Sequence, residues 1–194
     1  VNNNRFSDVN LFVVFMKLFF AIEMPEEVNY KLRETLIELK KADLSASISK
    51  YHQLHLTLVF LGEKTQEEVE KIVEEARAVK MGKFPLSIES AGFFPSEEYV
   101  RVFWAGAIDE NGELKLLHSK LCKALGVAPE KEFMGHVTLA RIKARRNLNK
   151  LIEIKKKIEN GGFGEFEVEE FVLMKSEIGT NGTEYSKVES FKLS

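Results

Sequence analysis

YHQLHLTLVFLG (residues 51–62) and EFMGHVTLARI (residues 132–142) decide the fold, because each is built around nearly the same tetrad. The first tetrad is His55, Leu56, Thr57 and Leu58; the second is His136, Val137, Thr138 and Leu139. Both stretches are rich in β-branched and apolar residues, which predicts strands. Side chains alternate between the two faces of a strand, so His55 and Thr57 share one face about 6.6 Å apart, as do His136 and Thr138. The leucines and the valine then face a core. Two matching polar pairs, on strands otherwise committed to burial, are expected to converge on one small substrate.

Outward from these strands the elements alternate. MKLFFAIE (residues 16–23) reads as a strand, and Pro25 opens a helix whose buried stripe is Val28, Leu32, Leu36 and Leu39. DLSASIS adds a strand before the first tetrad. Thr65 with Glu68 forms a capping box for a helix carrying Val69, Ile72, Val73 and Ala76 at helical spacing. FPLSIES and YVRVFWAGAI are strands with a turn at Pro95 and Ser96, and Asp109 to Gly112 lead into a helix striped by Leu114, Leu117, Leu121 and Leu125. Gly126 caps its end. After the second tetrad, NLNKLIEIKKKIE is a helix closed by Gly161 and Gly162. EFEVEEFVLMKSEI and TEYSKVESFKL finish as a hairpin, with Asn181 and Gly182 suited to its tight turn. The pattern predicts an α+β fold of two pseudo-symmetric lobes, each an antiparallel sheet backed by helices, with both tetrads in a central cleft.

With 194 residues and 44% hydrophobic content, the chain can bury a sizeable core and reads as a soluble globular protein. Its formal net charge of -2 means that any affinity for nucleic acid rests on a local basic surface. The single cysteine, Cys122, cannot form an internal disulfide and lies on an apolar helix stripe, which points to a structural thiol in a reducing, cytoplasmic setting. The apolar run around residues 9–22 is interrupted by Lys17 and falls short of the ~20 residues of a membrane helix. No small-residue cleavage pattern follows it. Met16 resembles a natural start, so residues 1–15 are expected to be an extension and residues 16–194 a single bilobal domain.

The chemistry of two histidine/threonine pairs is specific. An unperturbed imidazole titrates near ~6.5, so one can accept a proton while the other donates one. Threonine hydroxyls can hold phosphoryl oxygens that gain charge in the transition state. Imidazoles on opposite sides of a phosphorus atom suit in-line displacement without a metal, and a ribose 2′,3′-cyclic phosphate, a strained ester, fits best.

The chain resembles the RNA 2′,3′-cyclic phosphodiesterases, also called 2′-5′ RNA ligases, of the two-histidine phosphoesterase superfamily. The likeness is carried by KLFFAIEMPEEV, LHLTLVFLGE, FPSEEYVRVFWAG, FMGHVTLARIK and SEIGTNGTEY, spread from Met16 almost to the end. It implies a bilobal fold with His55 and His136 as catalytic residues and Thr57, Thr138 and Arg141 as phosphate-binding residues. It implies hydrolysis of RNA ends, tRNA fragments among the candidate partners, to a 2′-phosphate, with a reverse 2′-5′ ligase reaction. No cofactor, metal, membrane or protein partner is implied. His136 is assigned as base and His55 as acid, a choice that spacing leaves open. Arg141, the fifth residue after His136, is expected on the other strand face or at the strand end, so that it reaches around. Tyr51 stands where the family has an aromatic, often Trp, and Gly135 replaces the usual Pro before the second histidine, making the approach to His136 less rigid.

Competing readings exist for several residues. His52, His55 and His136 are a conceivable zinc set, but i and i+3 in a strand face opposite ways. His118 reads as a helix-surface residue, Phe93, Phe94 and Trp104 as core, with one of them able to stack on a nucleobase at the cleft rim, and GGFG and GTNG as turns. The basic residues Arg141, Lys143, Arg145, Arg146 and Lys150 either guide RNA phosphates or form a solvated face. The same site could serve another small cyclic nucleotide or an ADP-ribose cyclic phosphate, or belong to a catalytically idle RNA-binding protein.

Overall fold

A computed structural model describes residues 15–180 and 182–194. Its elements are β1 (Met16–Glu23), α1 (Glu26–Lys41), β2 (Ala46–Ile48), β3 (His55–Lys64), α2 (Gln66–Arg77), β4 (Phe84–Pro95), β5 (Val100–Ile108), α3 (Glu113–Ala124), β6 (His136–Ile142), α4 (Leu148–Gly161), β7 (Gly164–Val168), β8 (Glu170–Gly179) and β9 (Gly182–Lys192), with a short 3-10 turn at Tyr51–Gln53. The strands run antiparallel in the order β7-β4-β5-β6-β3-β1-β8-β9, and β2 adds to β6. At the centre β3 and β6 share a single pairing, Leu56 with Val137. Divided there, the sheet falls into two halves, β3-β1-β8-β9 and β6-β5-β4-β7 with β2 on β6, each with its tetrad strand at the inner edge. The expected pseudo-symmetric lobes are these halves.

Helices cover each half. α2 and α3 pack together, α2 against β9 and α3 against β3, while α1 and α4 pack against β2, β4 and β7. The helix that follows β1 therefore covers the opposite half, which ties the two together. Local sequence explains where these helices begin. Thr65 Oγ1 accepts from Glu68 N at 3.3 Å and Glu68 Oε2 accepts from Thr65 N at 2.8 Å, the expected capping box. At α3 the Asp109 carboxylate accepts from Glu113 N and Lys115 N, beyond the left-handed Gly112. Val28, Leu32, Leu36 and Leu39 of α1 are all buried, as their spacing demands. No helix of the described residues is long and apolar enough to cross a membrane.

Two bulges set the site. In β3, Thr57 lies opposite Ala21 and Val59 opposite Phe20, so Leu58 is the extra residue. In β6, Thr138 lies opposite Trp104 and Ala140 opposite Phe103, so Leu139 is extra. Burial confirms the phase change, since Leu58 and Val59 are buried in succession, as are Leu139 and Ala140. A bulge swaps the faces presented by every later residue. Phe60 and Arg141 consequently join the histidines' face.

The C-terminal segment departs from the expectation of one hairpin. EFEVEEFVLMKSEI divides at Glu169: β7 pairs with β4 in one half, and β8 pairs with β1 and β9 in the other. The cause is a slip in alternation, because Phe166 and Val168 are followed by Glu169 and Glu170 before the apolar phase resumes at Phe171. Strand β4 also continues through Pro95, where a turn was expected, and pairs there with Val100. The hairpin closes with Gly179 opposite Gly182; Asn181 lies outside the described residues, as do residues 1–14.

Candidate active site

The one pairing between β3 and β6 fixes the geometry. Leu56 opposes Val137 in antiparallel sense, so His55 comes opposite Thr138 and Thr57 opposite His136, related by a local pseudo-twofold. Leu56 and Val137 are fully buried, which anchors both strands while the polar pairs face outward into one cleft. The cleft has a volume of about 800 Å³, and His55, Thr57, His136, Thr138 and Arg141 all line it.

Each imidazole is held in the same way. His55 Nδ1 donates to the Gln53 carbonyl at 2.7 Å, and His136 Nδ1 donates to the Met134 carbonyl at 2.9 Å. A carbonyl oxygen only accepts, so the proton sits on Nδ1 and Nε2 is left for the cleft. Aromatic rings brace both. His55 lies 4.9 Å from Phe19 and 4.9 Å, edge to face, from Tyr185. His136 lies 4.9 Å, edge to face, from Phe94, with Trp104 at 6.3 Å. Trp104 fits there because Gly92 has no side chain; a Cβ at that position would come within 2.2 Å of the indole.

Burial is the main cause that lowers both imidazole pKa values below 6.5, and Arg141 lowers both further. The carbonyl hydrogen bonds oppose this, with Glu23 pulling His55 up and Glu130 pulling His136 up. Near neutral pH both rings are therefore neutral and able to accept a proton at Nε2. Among the described residues lining the cleft there is no Asp or Glu, although the chain has 30, whereas Lys17, Lys50 and Arg141 are all present. Such a surface favours an anion.

Several sequence expectations change. The β6 bulge turns Arg141 into the cleft directly, so it has no need to reach around. Gly135 is not a loose joint: a Cβ there would meet Leu114 Cδ2 at 2.4 Å, and its carbonyl accepts from Ala107 N at 2.9 Å. His118 is buried at 3% exposure, stacks on Phe133 and donates Nδ1–H to the Leu58 carbonyl at 2.8 Å. That bond occupies the β3 edge beyond the pairing, as Ser49 N does for the Leu139 carbonyl on β6. Phe94 and Trp104 are half-buried on the cleft side, and only Phe93 is core. His52 lies exposed on the 3-10 turn against Tyr51. Of the basic stretch, Arg141 alone lines the cleft; Arg145 donates to the Glu98 carbonyl and Arg146 pairs with Asp43. Beyond the Gly179–Gly182 pairing, β9 brings Thr183 and Tyr185 to the cleft. Cys122 is buried.

Sequence reasoning missed Phe60 and Tyr185. Phe60 had a signal: it is the fifth residue after His55, as Arg141 is after His136, so aligning HLTLVF with HVTLAR pairs the two. Tyr185 had none, because only the β8–β9 hairpin brings it to His55.

Comparison with known proteins identifies the family. A family profile described as LigT like Phosphoesterase matches residues 22–104 and 107–185. A protein of Archaeoglobus fulgidus named RNA 2′,3′-cyclic phosphodiesterase is 33% identical over 180 residues, covering 91% of this chain and all of the relative. One of the same name from Methanothermobacter thermautotrophicus is 31% identical, covering 92% and 99%. The crystal structure of TT0787 from Thermus thermophilus superposes with a TM-score of 0.72 at 31% identity, covering 92% of this chain and 98% of that one. The chain belongs to the LigT-like phosphoesterase family.

Proposed function

We propose that residues 16–194 act as one bilobal unit that hydrolyses RNA 2′,3′-cyclic phosphate ends to a 2′-phosphate. The observation that carries this is the Leu56–Val137 pairing, which faces two Nδ1-protonated histidines into a cleft free of carboxylates among its described residues. Water attacks phosphorus and gives its proton to His136 Nε2. The bond from phosphorus to the 3′ oxygen breaks, and His55 Nε2 gives that oxygen a proton; because the free ring is neutral, this proton is taken up from solvent when the anionic phosphate binds beside it and favours the charged form. His136 is the more accessible of the two, which suits it to the incoming water, while His55 is enclosed by Phe19 and Tyr185 beside the bound ribose. Acid and base catalysis by positioned side chains contribute about 10²- to 10⁴-fold.

The Thr57 and Thr138 hydroxyls donate to the phosphoryl oxygens, and Arg141 offers a planar pair of donors to the same group. The RNA, now ending in a 2′-phosphomonoester and a 3′-hydroxyl, leaves the cleft. With an RNA 5′-hydroxyl in place of water, the same displacement forms a 2′-5′ bond. The buried, unpaired Cys122 suits a reducing, cytoplasmic setting.

The test is incubation of the protein in excess EDTA with an oligonucleotide ending in a 2′,3′-cyclic phosphate, with tRNA fragments of the same terminus alongside. Appearance of a 2′-phosphate supports the reading. A 3′-phosphate product, abolition by EDTA or no turnover refutes it. Rates on cyclic mononucleotides and on ADP-ribose cyclic phosphate separate an RNA enzyme from one acting on smaller esters.

A further inference from the structure

We propose that Lys17 is a second phosphate subsite, which makes the cleft a reader of RNA length as well as of the cyclic terminus; this rests on the cyclic phosphodiesterase reading. Lys17, Phe19 and Ala21 share one face of β1 by alternation, and Phe19 packs on His55. Lys17 lines the same cleft as the histidines. It lies opposite Glu63, whereas Glu23, at the other end of β1, lies opposite His55. The Phe19 ring touches the His55 imidazole, and Lys17 lies two residues further along β1, about 7 Å at 3.3 Å per residue. Lys17 therefore stands one side chain beyond the ring that encloses the terminal phosphate.

What lies between them has the rhythm of a nucleotide chain. The pseudo-twofold makes Phe60 the counterpart of Arg141, so one arm of the cleft has a cation beside the histidines and the other an aromatic ring. Phe60 is 64% exposed and lines the cleft, offering a base a flat surface to stack on. Lys17 follows. Its neighbours Gly62 and Ser176 also line the cleft, and space beside Gly62 is open. The ion pair of Lys17 with Glu63 is long, 3.8 Å, and exposed on both sides, so it holds the ammonium weakly. The other cleft lysine, Lys50, carries its own ion pair, to Glu184 of β9 at 3.8 Å. The upstream RNA is accordingly expected along the β1–β3 arm.

The experiment compares kcat/KM on a 2′,3′-cyclic mononucleotide and on di-, tri- and tetranucleotides ending in the same group. For the unaltered protein kcat/KM rises with length and then levels off. Lys17→Gln is expected to lower the ratio of tetranucleotide to mononucleotide kcat/KM about fivefold, and Lys17→Arg to restore it. The salt dependence of tetranucleotide binding should shallow by about 0.7 in log–log slope. Equal loss on all lengths, no loss on the tetranucleotide, or transfer of the length effect to Lys50→Gln overturns the subsite. Failure of the unaltered protein to turn over any cyclic phosphate defeats the functional reading instead, and turnover that ignores length defeats only this inference.

Discussion

Replacing Gly135 with Ala tests how tightly the second tetrad is seated. The new Cβ would lie 2.4 Å from Leu114 Cδ2, 3.2 Å from Ala107 Cβ and 3.3 Å from Leu56 Cδ1. Leu114 and Leu56 are 2% and 0% exposed, so neither can swing into solvent. Overpacking of this kind costs about 1–3 kcal/mol. Gly135 does not have a positive φ, so Ala is conformationally allowed and recovers about 0.4–1 kcal/mol by restricting the unfolded chain. A net loss of about 1.5 kcal/mol follows, equivalent to a fall in Tm of about 3–6 °C for a chain of this size. The diagnostic measurement is chemical denaturation of Gly135→Ala alone and on a Leu114→Ala background. Leu114→Ala removes the closest obstacle, so there Gly135→Ala should be neutral or stabilising, a coupling of about 2 kcal/mol. The same cost in both backgrounds would refute the steric account. Because Gly135 precedes His136, the single variant should also lose turnover beyond its loss of stability.

Other outcomes follow from the same geometry. Arg141→Ala should raise the titration of both imidazoles, measured by NMR, since Arg141 lowers both; no movement of either resonance rules out the proposed proximity. Arg141→Lys keeps the charge but loses the planar fork, and should lower kcat/KM about tenfold with Tm unchanged. Stability should rise with pH across the window just below 6.5, because there the unfolded histidines bind more protons than the buried ones. Once pH falls below the folded pKa values the loss is complete, and the double variant His55→Asn/His136→Asn should flatten that slope in denaturation at graded pH. His118→Leu leaves the Leu58 carbonyl without its donor at the β3 bulge and should cost about 1–3 kcal/mol, readable as a lower denaturation midpoint.

Much of the site was legible because alternation along a strand is a local property. His55 with Thr57, and His136 with Thr138, needed only a period of two to be placed on common faces, and the Thr65–Glu68 cap needed only a spacing of three. His118 was misjudged although it follows Leu117 and sits four residues after Leu114. A polar residue on an apolar stripe is burial-competent only when a partner such as the Leu58 carbonyl arrives from elsewhere. Arg141 was misjudged for a related reason: the bulge at Leu139 depends on how β5 pairs, and the tetrad itself carries no mark of it.

The amino-acid sequence alone determined the helices, the shared face of each histidine and its threonine, the repeated tetrad and the class of chemistry, since each depends on neighbours within a few residues. Tertiary structure alone decided that Leu56 meets Val137, that the final apolar run splits between two halves, and that Tyr185 and Phe94 brace opposite histidines. The physical reason is that strand pairing is a contest among distant segments for the same backbone hydrogen bonds and the same buried area. Its outcome is a property of the whole packed chain, and no window of sequence contains all the competitors.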